Sequence, residues 1–98
     1  MYHVESRGTM TGQFAFSKAG HDKGALYVVV GCEGDFVYLC DGRLKLMASP
    51  KKKRLKHIQP VNRRVEKDLF HRLTAGQRVR DEEIKFAIKQ YREQSEIE

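Results

Sequence analysis

Apolar and polar positions repeat every second residue over the first part of the chain and about every fourth residue over the last third, which predicts a β region followed by helices. In "GQFAFSK" Phe14 and Phe16 alternate with small or polar neighbours. "GALYVVVGC" is rich in residues that fit a pleated surface, and "DFVYLC" follows it after a Glu-Gly-Asp turn. Asp41-Gly42 carries a type I′ turn signal and predicts a fourth strand in "RLKLMA". A fifth short strand is expected in "LKHIQ", ended by Pro60. Five strands in under fifty residues favour closure into a small barrel, which removes exposed edges. Both faces of "ALYVVV" and "DFVYLC" are apolar, so the outside of the sheet needs a cover.

Two helices are placed to supply it. Asn62 is read as the N-cap of the first, Val65, Leu69 and Leu73 form its stripe, and Gly76 ends it. The second starts near Asp81 with Glu82 and Glu83 in its first turn, where acidic charge suits the helix dipole, and Ile84, Ala87, Ile88 and Tyr91 form its apolar side. Residues 1–10 are expected to be disordered, 11–60 to form the barrel, and 61–93 to be a helical extension packed on the barrel or on a partner. The final "QSEIE" is expected to fray.

A chain of 98 residues, 33% of them charged, allows one modest core. No run approaches the length of a membrane span, and the N-terminus lacks the pattern of a secretory signal, so a cytoplasmic protein is expected. The net charge of +6 is uneven. Residues 1–42 carry −2, residues 43–80 carry +11, and residues 81–98 carry −3. So cationic a middle segment attracts polyanions by releasing their condensed counterions.

The cysteines do not point to a disulfide. In a hairpin turning at Glu33-Gly34 or Gly34-Asp35, opposed residues have numbers adding to 67 or 69, whereas Cys32 and Cys40 add to 72. Two reduced thiols acting as small apolar side chains are expected. His3, His21, His57 and His71 lack metal-ligand spacing, and no nucleophile elbow or phosphate-binding P-loop is present, so no enzyme, metal or cofactor is expected. Phe14, Phe16, Phe36 and Tyr38 are read as core, not as an aromatic cage.

Two constellations remain. In "SKAGHDKG", Gly20 and Gly24 let the backbone turn sharply around His21, Asp22 and Lys23. Asp22 is expected to accept main-chain N–H groups, and Lys18 and Lys23 to project from the rim. In "SPKKKRLK", Lys51, Lys52, Lys53, Arg54 and Lys56 form a connector between strands that faces either solvent or a polyanion. The run also has the composition of a nuclear-import signal. Arg63 and Arg64, at the start of the first helix, either extend the basic surface or are simply solvated on the helix face.

"GQFAFSKAGHDKGALYVVVGCEGDFVYL", together with "DGRLK" and "PKKKRLKHIQP", resembles the KOW-motif family of SH3-like barrels, in the branch of small bacterial proteins similar to archaeal and eukaryotic-type large-subunit ribosomal proteins. The resemblance covers most of residues 12–92. It implies a five-stranded SH3-like barrel followed by two α-helices, and an RNA-binding role in or near the ribosome with the loop around Gly24 close to the RNA. Similar sequences usually carry Arg at the position of His21, and a neutral imidazole cannot form a bidentate phosphate fork. The expected partner is therefore RNA, with ribosomal or transcription proteins as the alternative and a monomer favoured.

Overall fold

The computed structural model describes residues 10–97. Strands β1 (Gln13–Ser17), β2 (Leu26–Glu33), β3 (Phe36–Cys40), β4 (Lys51–Arg54) and β5 (Ile58–Arg64) precede helices α1 (Lys67–Thr74) and α2 (Asp81–Ile97). All pairings are antiparallel, in the order β4-β3-β2-β1-β5. The ladder does not close: β4 and β5 are its two edges, so the expected barrel closure is absent from the hydrogen-bond pattern.

The β2–β3 hairpin turns at Gly34-Asp35, with Glu33 opposite Phe36 and Cys32 opposite Val37. Its register shifts between Val29 and Gly31, a bulge that bends the strand. Cys40 lies opposite Val28, so the two cysteines belong to different cross-strand pairs and both are free. Burial, with the carboxylates of Asp81 and Asp41 nearby, pushes the Cys40 thiol up to about 12.

Adjacent residues of β2 feed two cores. Leu26 and Val28 join Phe14 and Cys40 on the face covered by Leu69 and Leu73 of α1 and Ile84, Ala87 and Ile88 of α2. Tyr27 and Val29 join Ala15, Val37, Leu39 and Ile58 on the other face. Among the described residues none from α1 or α2 belongs to this second cluster, yet Val29, Val37 and Leu39 are fully buried, because the sheet curls over itself. The doubly apolar strands thus have two covers, helices outside and the sheet's own curvature inside.

Five local expectations are corrected. "RLKLMA" is not a strand. Asp41 Oδ1 accepts the backbone N–H groups of Arg43, Leu44 and Lys45 at 2.8–3.0 Å, taking donors that a ladder needs, and Leu44 is 83% exposed. The fourth strand is instead the basic run itself, with Lys51 opposite Leu39 and Arg54 opposite Phe36. Charged residues are tolerated there because the strand is an edge.

Pro60 lies inside β5, opposite Ala15. An edge strand can spare the missing N–H, and the neighbouring register irregularity is spanned by Gln13 Nε2 donating to Val61 O. "LKHIQ" is divided: Leu55–His57 form a 3-10 turn and the strand begins at Ile58.

Asn62 is consequently a strand residue, and the cap of α1 is Glu66, which accepts from the N–H of Asp68 at 2.7 Å. Gly76 ends α1 as expected. At φ +72° it completes a Schellman closure, with Gln77 N donating to Arg72 O and Gly76 N to Leu73 O.

Helix α2 starts at Asp81 as expected, and Glu83 reaches back to accept the N–H of Arg80. It continues through Gln94 and Ser95 to Ile97, and Glu98 lies outside the described residues. The disorder expected for residues 1–9 lies outside the described residues. Met10 packs against the inner core. Among the described residues no helix is long and apolar enough to cross a membrane.

Candidate nucleic-acid interface

The two basic constellations, remote in sequence, meet through Asp22. The β1–β2 loop is closed by backbone bonds from Lys23 N to Gly20 O, Gly24 N to Ser17 O and Ala25 N to Asp22 O. Gly20 and Gly24 sit at φ +87° and +92°, where a side chain would be strained. The Asp22 carboxylate does not hold the turn through main-chain N–H groups, as its position suggested. It accepts instead from Ser17 Oγ at 2.8 Å, Tyr27 Oη at 2.8 Å and Lys53 Nζ at 2.9 Å. Burial pushes its pKa up, but the bonds from Lys53, Tyr27 and Ser17 outweigh this and hold it far below the usual carboxylate range. Burial and the same carboxylate push the Tyr27 phenol up, keeping it a donor.

The period of two in β4 sorts its cations. Lys51 and Lys53 lie opposite Leu39 and Val37, on the inner face. Lys53 Nζ also donates to Ala19 O at 3.0 Å, with 11% of its side chain exposed, and Lys51 Nζ lies 3.8 Å from Asp22 Oδ2. These two of the four consecutive cations are thus committed to an internal carboxylate. For Lys53 the expected projection toward a ligand is corrected to a structural tether.

Lys52 and Arg54 point the other way. Their charged groups lie 4.5 Å and 5.0 Å from the ring centre of Phe36. Phe36 and its neighbour Tyr38, whose hydroxyl donates to Glu33, are only partly buried, so both belong to this outer surface and not to the core. Phe14 is core as expected, and Phe16 borders it. The period of two in β4 separates outward from inward cations, a signal that applies only once the run is a paired strand and not a connector.

Lys56 is exposed on the 3-10 turn, and that turn touches the loop where Lys18 N donates to His57 O at 2.8 Å. His57 is half-buried in this turn and is not on a strand. Lys18, His21 and Lys23 are exposed on the loop. The structure therefore brings Lys18, His21, Lys23, Lys52, Arg54 and Lys56 onto three segments that touch one another.

Arg63 and Arg64 are not part of this group. They lie on β5, not on a helix, and Arg64 pairs with Gln13 while Ile58 pairs with Ser17. At about 3.3 Å per residue, the four steps of β1 put them about 13 Å away along the strand. Their guanidinium groups stack on Tyr91 and Phe70, fastening β5 to the helices. Among the described residues no group of three or more His, Cys, Asp or Glu could hold a metal ion. The chain matches no protein-family model and no curated protein.

Proposed function

We propose that this chain is a non-catalytic RNA-binding protein that grips folded RNA by its phosphates, on a curled sheet of the SH3-like, KOW type. The observation that carries the reading is the pair of contacts joining three cationic segments, Lys53 Nζ to Ala19 O and Lys18 N to His57 O. They join the loop at 18–23, β4 and the turn that carries Lys56 into one unit, with Lys52 and Arg54 on the side of β4 away from Asp22. Cations held on a fixed frame match the backbone of folded RNA, where shape and charge outweigh base edges. The Phe36 ring, lying under Lys52 and Arg54, holds both cations together at the outer side of β4. The SH3-like reading is supported by the meander order with β5 returned beside β1, and by an inner core enclosed without a helix.

With Lys51 and Lys53 engaged internally, Lys18, Lys23, Lys52, Arg54 and Lys56 remain for phosphates. Four or five such contacts give a slope of log affinity against log salt of roughly −3 to −5. Fluorescence anisotropy with a labelled RNA stem-loop measures it, and an affinity that stays flat with salt overturns the reading. A nuclease-treated pull-down distinguishes the adaptor alternative, since protein partners retained after RNA removal belong to that class.

A further inference from the structure

Helix α2 carries more acidic than basic residues, yet its three cations are not dispersed. Lys85, Lys89 and Arg92 stand at i, i+4 and i+7, which places them on one side of the helix, over about 10 Å of its length. That side forms one wall of a groove of about 330 Å³, and Arg43, from the loop after β3, forms another part of its lining. Its apolar lining is Ala25, Leu26 and Ile88. Among the described residues the acids at the groove are Asp41 and Glu93. Asp41 already accepts three backbone N–H groups, so part of its charge is absorbed by its own loop.

We infer that this groove is a second phosphate-contact surface for the same RNA strand, seating its sugar-phosphate chain between Arg43 and the Lys85, Lys89, Arg92 row. The inference rests on the RNA-binding function proposed above and extends it to a second surface, formed by α2, the start of β2 and the loop after β3. Continuity supports it. Ala25 lines the groove and its N–H is bonded to Asp22 O, so the groove begins where the cationic loop ends. A strand leaving Lys23 meets Ala25 next and then the helix row. Charge complementarity also favours a polyanion, because four cations face two acids and one of those acids is internally engaged. The apolar lining suits ribose carbons, while a row of ammonium groups along a helix suits successive phosphates.

The test compares the intact chain with three variants by anisotropy on a labelled RNA stem-loop across a salt series. Lys85→Gln, Lys89→Gln and Arg92→Gln together keep good helix formers at exposed positions, and circular dichroism checks that α2 remains folded. With the groove's contacts added to those of the loop and β4, the slope of the intact chain should be steeper than roughly −5, and the triple variant should reduce its magnitude by about 2 to 3. Glu93→Gln should tighten binding severalfold by removing the groove's uncompensated acid. Glu82→Gln, with the same change of net charge outside the groove, should leave binding unchanged. A steep slope for the intact chain that survives in the triple variant overturns the groove while leaving the RNA-binding reading intact. A Glu93→Gln variant no tighter than Glu82→Gln also overturns the groove. A flat slope for the intact chain overturns both.

Discussion

The ammonium group of Lys53 stands 2.9 Å from Oδ1 of Asp22, although 31 positions and two intervening strands of the sheet separate them. β4 and the β1–β2 loop can meet only because the sheet curls. One ion pair therefore fixes the curvature and the relative position of the two cationic segments. Its removal should be felt in stability. Asp22→Asn leaves Lys53 without a carboxylate at a site where both side chains are less than one-fifth exposed, and should cost about 1–3 kcal/mol in urea denaturation at pH 7.

The same pair sets an acid limit. The Asp22 pKa is lower in the folded chain than its ordinary value of 3.8, so the folded state binds this proton less readily than the unfolded state. The stability it contributes is fully present above 3.8 and declines as pH falls from there through the folded value. The gap between the parent chain and Asp22→Asn should stay constant from neutral pH down to that region and narrow below it. A gap that narrows already between pH 7 and 5 would assign the effect to another group.

Within β4, adjacent cations should behave oppositely. Lys52→Gln with Arg54→Gln should lower the magnitude of the RNA salt slope by roughly 1.5 to 2, at a stability cost of about 1 kcal/mol or less from lost cation-π contacts. Lys53→Met should do the reverse, costing about 2 kcal/mol with little direct change in slope, because its ammonium is already neutralised. Parallel denaturation and anisotropy measurements decide it. Equal slope losses for the two variants would mean that the cluster acts as an undivided charge.

The strands up to Cys40 and the start of α2 were legible because their signals are local: alternation in "QFAF", a Gly at the hairpin turn, acids in a helix's first turn. The errors share a different cause. Asp41-Gly42 reads as a hairpin turn until its carboxylate is seen to capture the N–H groups of Arg43, Leu44 and Lys45. Pro60 reads as a strand breaker until β5 proves to be an edge. "KKKR" reads as a connector because strand propensity cannot register a pairing with β3 that forms after ten residues of loop. Residue types at the site were legible, but the division of β4 into tethered and outward cations depended on that pairing, and the row on α2 was masked by the acidic total of its segment.

Gly42 and Gly24 separate backbone strain from crowding. Both have positive φ, +78° and +92°, so a side chain at either incurs about 1–2 kcal/mol of left-handed strain. A Cβ at Gly24 meets nothing within 4 Å, whereas at Gly42 it would collide with the carbonyl of Asp81 and come within 2.8 Å of Lys85 N. Gly24→Ala should cost about 1–2 kcal/mol, and Gly42→Ala about 3–5 kcal/mol, since α2 must move off the sheet to admit the methyl group. Chemical denaturation of the two variants side by side measures the difference. Equal costs would show that the loop after β3 yields and that α2 is not held against Gly42.

Arg72 joins the helices, with its guanidinium on both Glu83 oxygens and on Asp68 Oδ2. Glu83 also accepts the N–H of Arg80. The guanidinium beside it, with that backbone donor, holds the Glu83 carboxyl down to about 2 from an ordinary 4.5. The sign follows as for Asp22: the contribution is complete above 4.5 and is lost as pH falls toward 2. Carboxyl carbon shifts followed by NMR through an acid titration should therefore show Glu83 titrating well below 4.5, near 2. In Arg72→Gln its midpoint should move part of the way back toward 4.5, because the backbone N–H and the guanidinium charge of Arg80 remain to favour the charged form. A midpoint that stays near 2 without the guanidinium would transfer the effect to the helix N-terminus, and the link between α1 and α2 would then rest on the packing of Leu69 and Leu73 against Ile84 and Ala87.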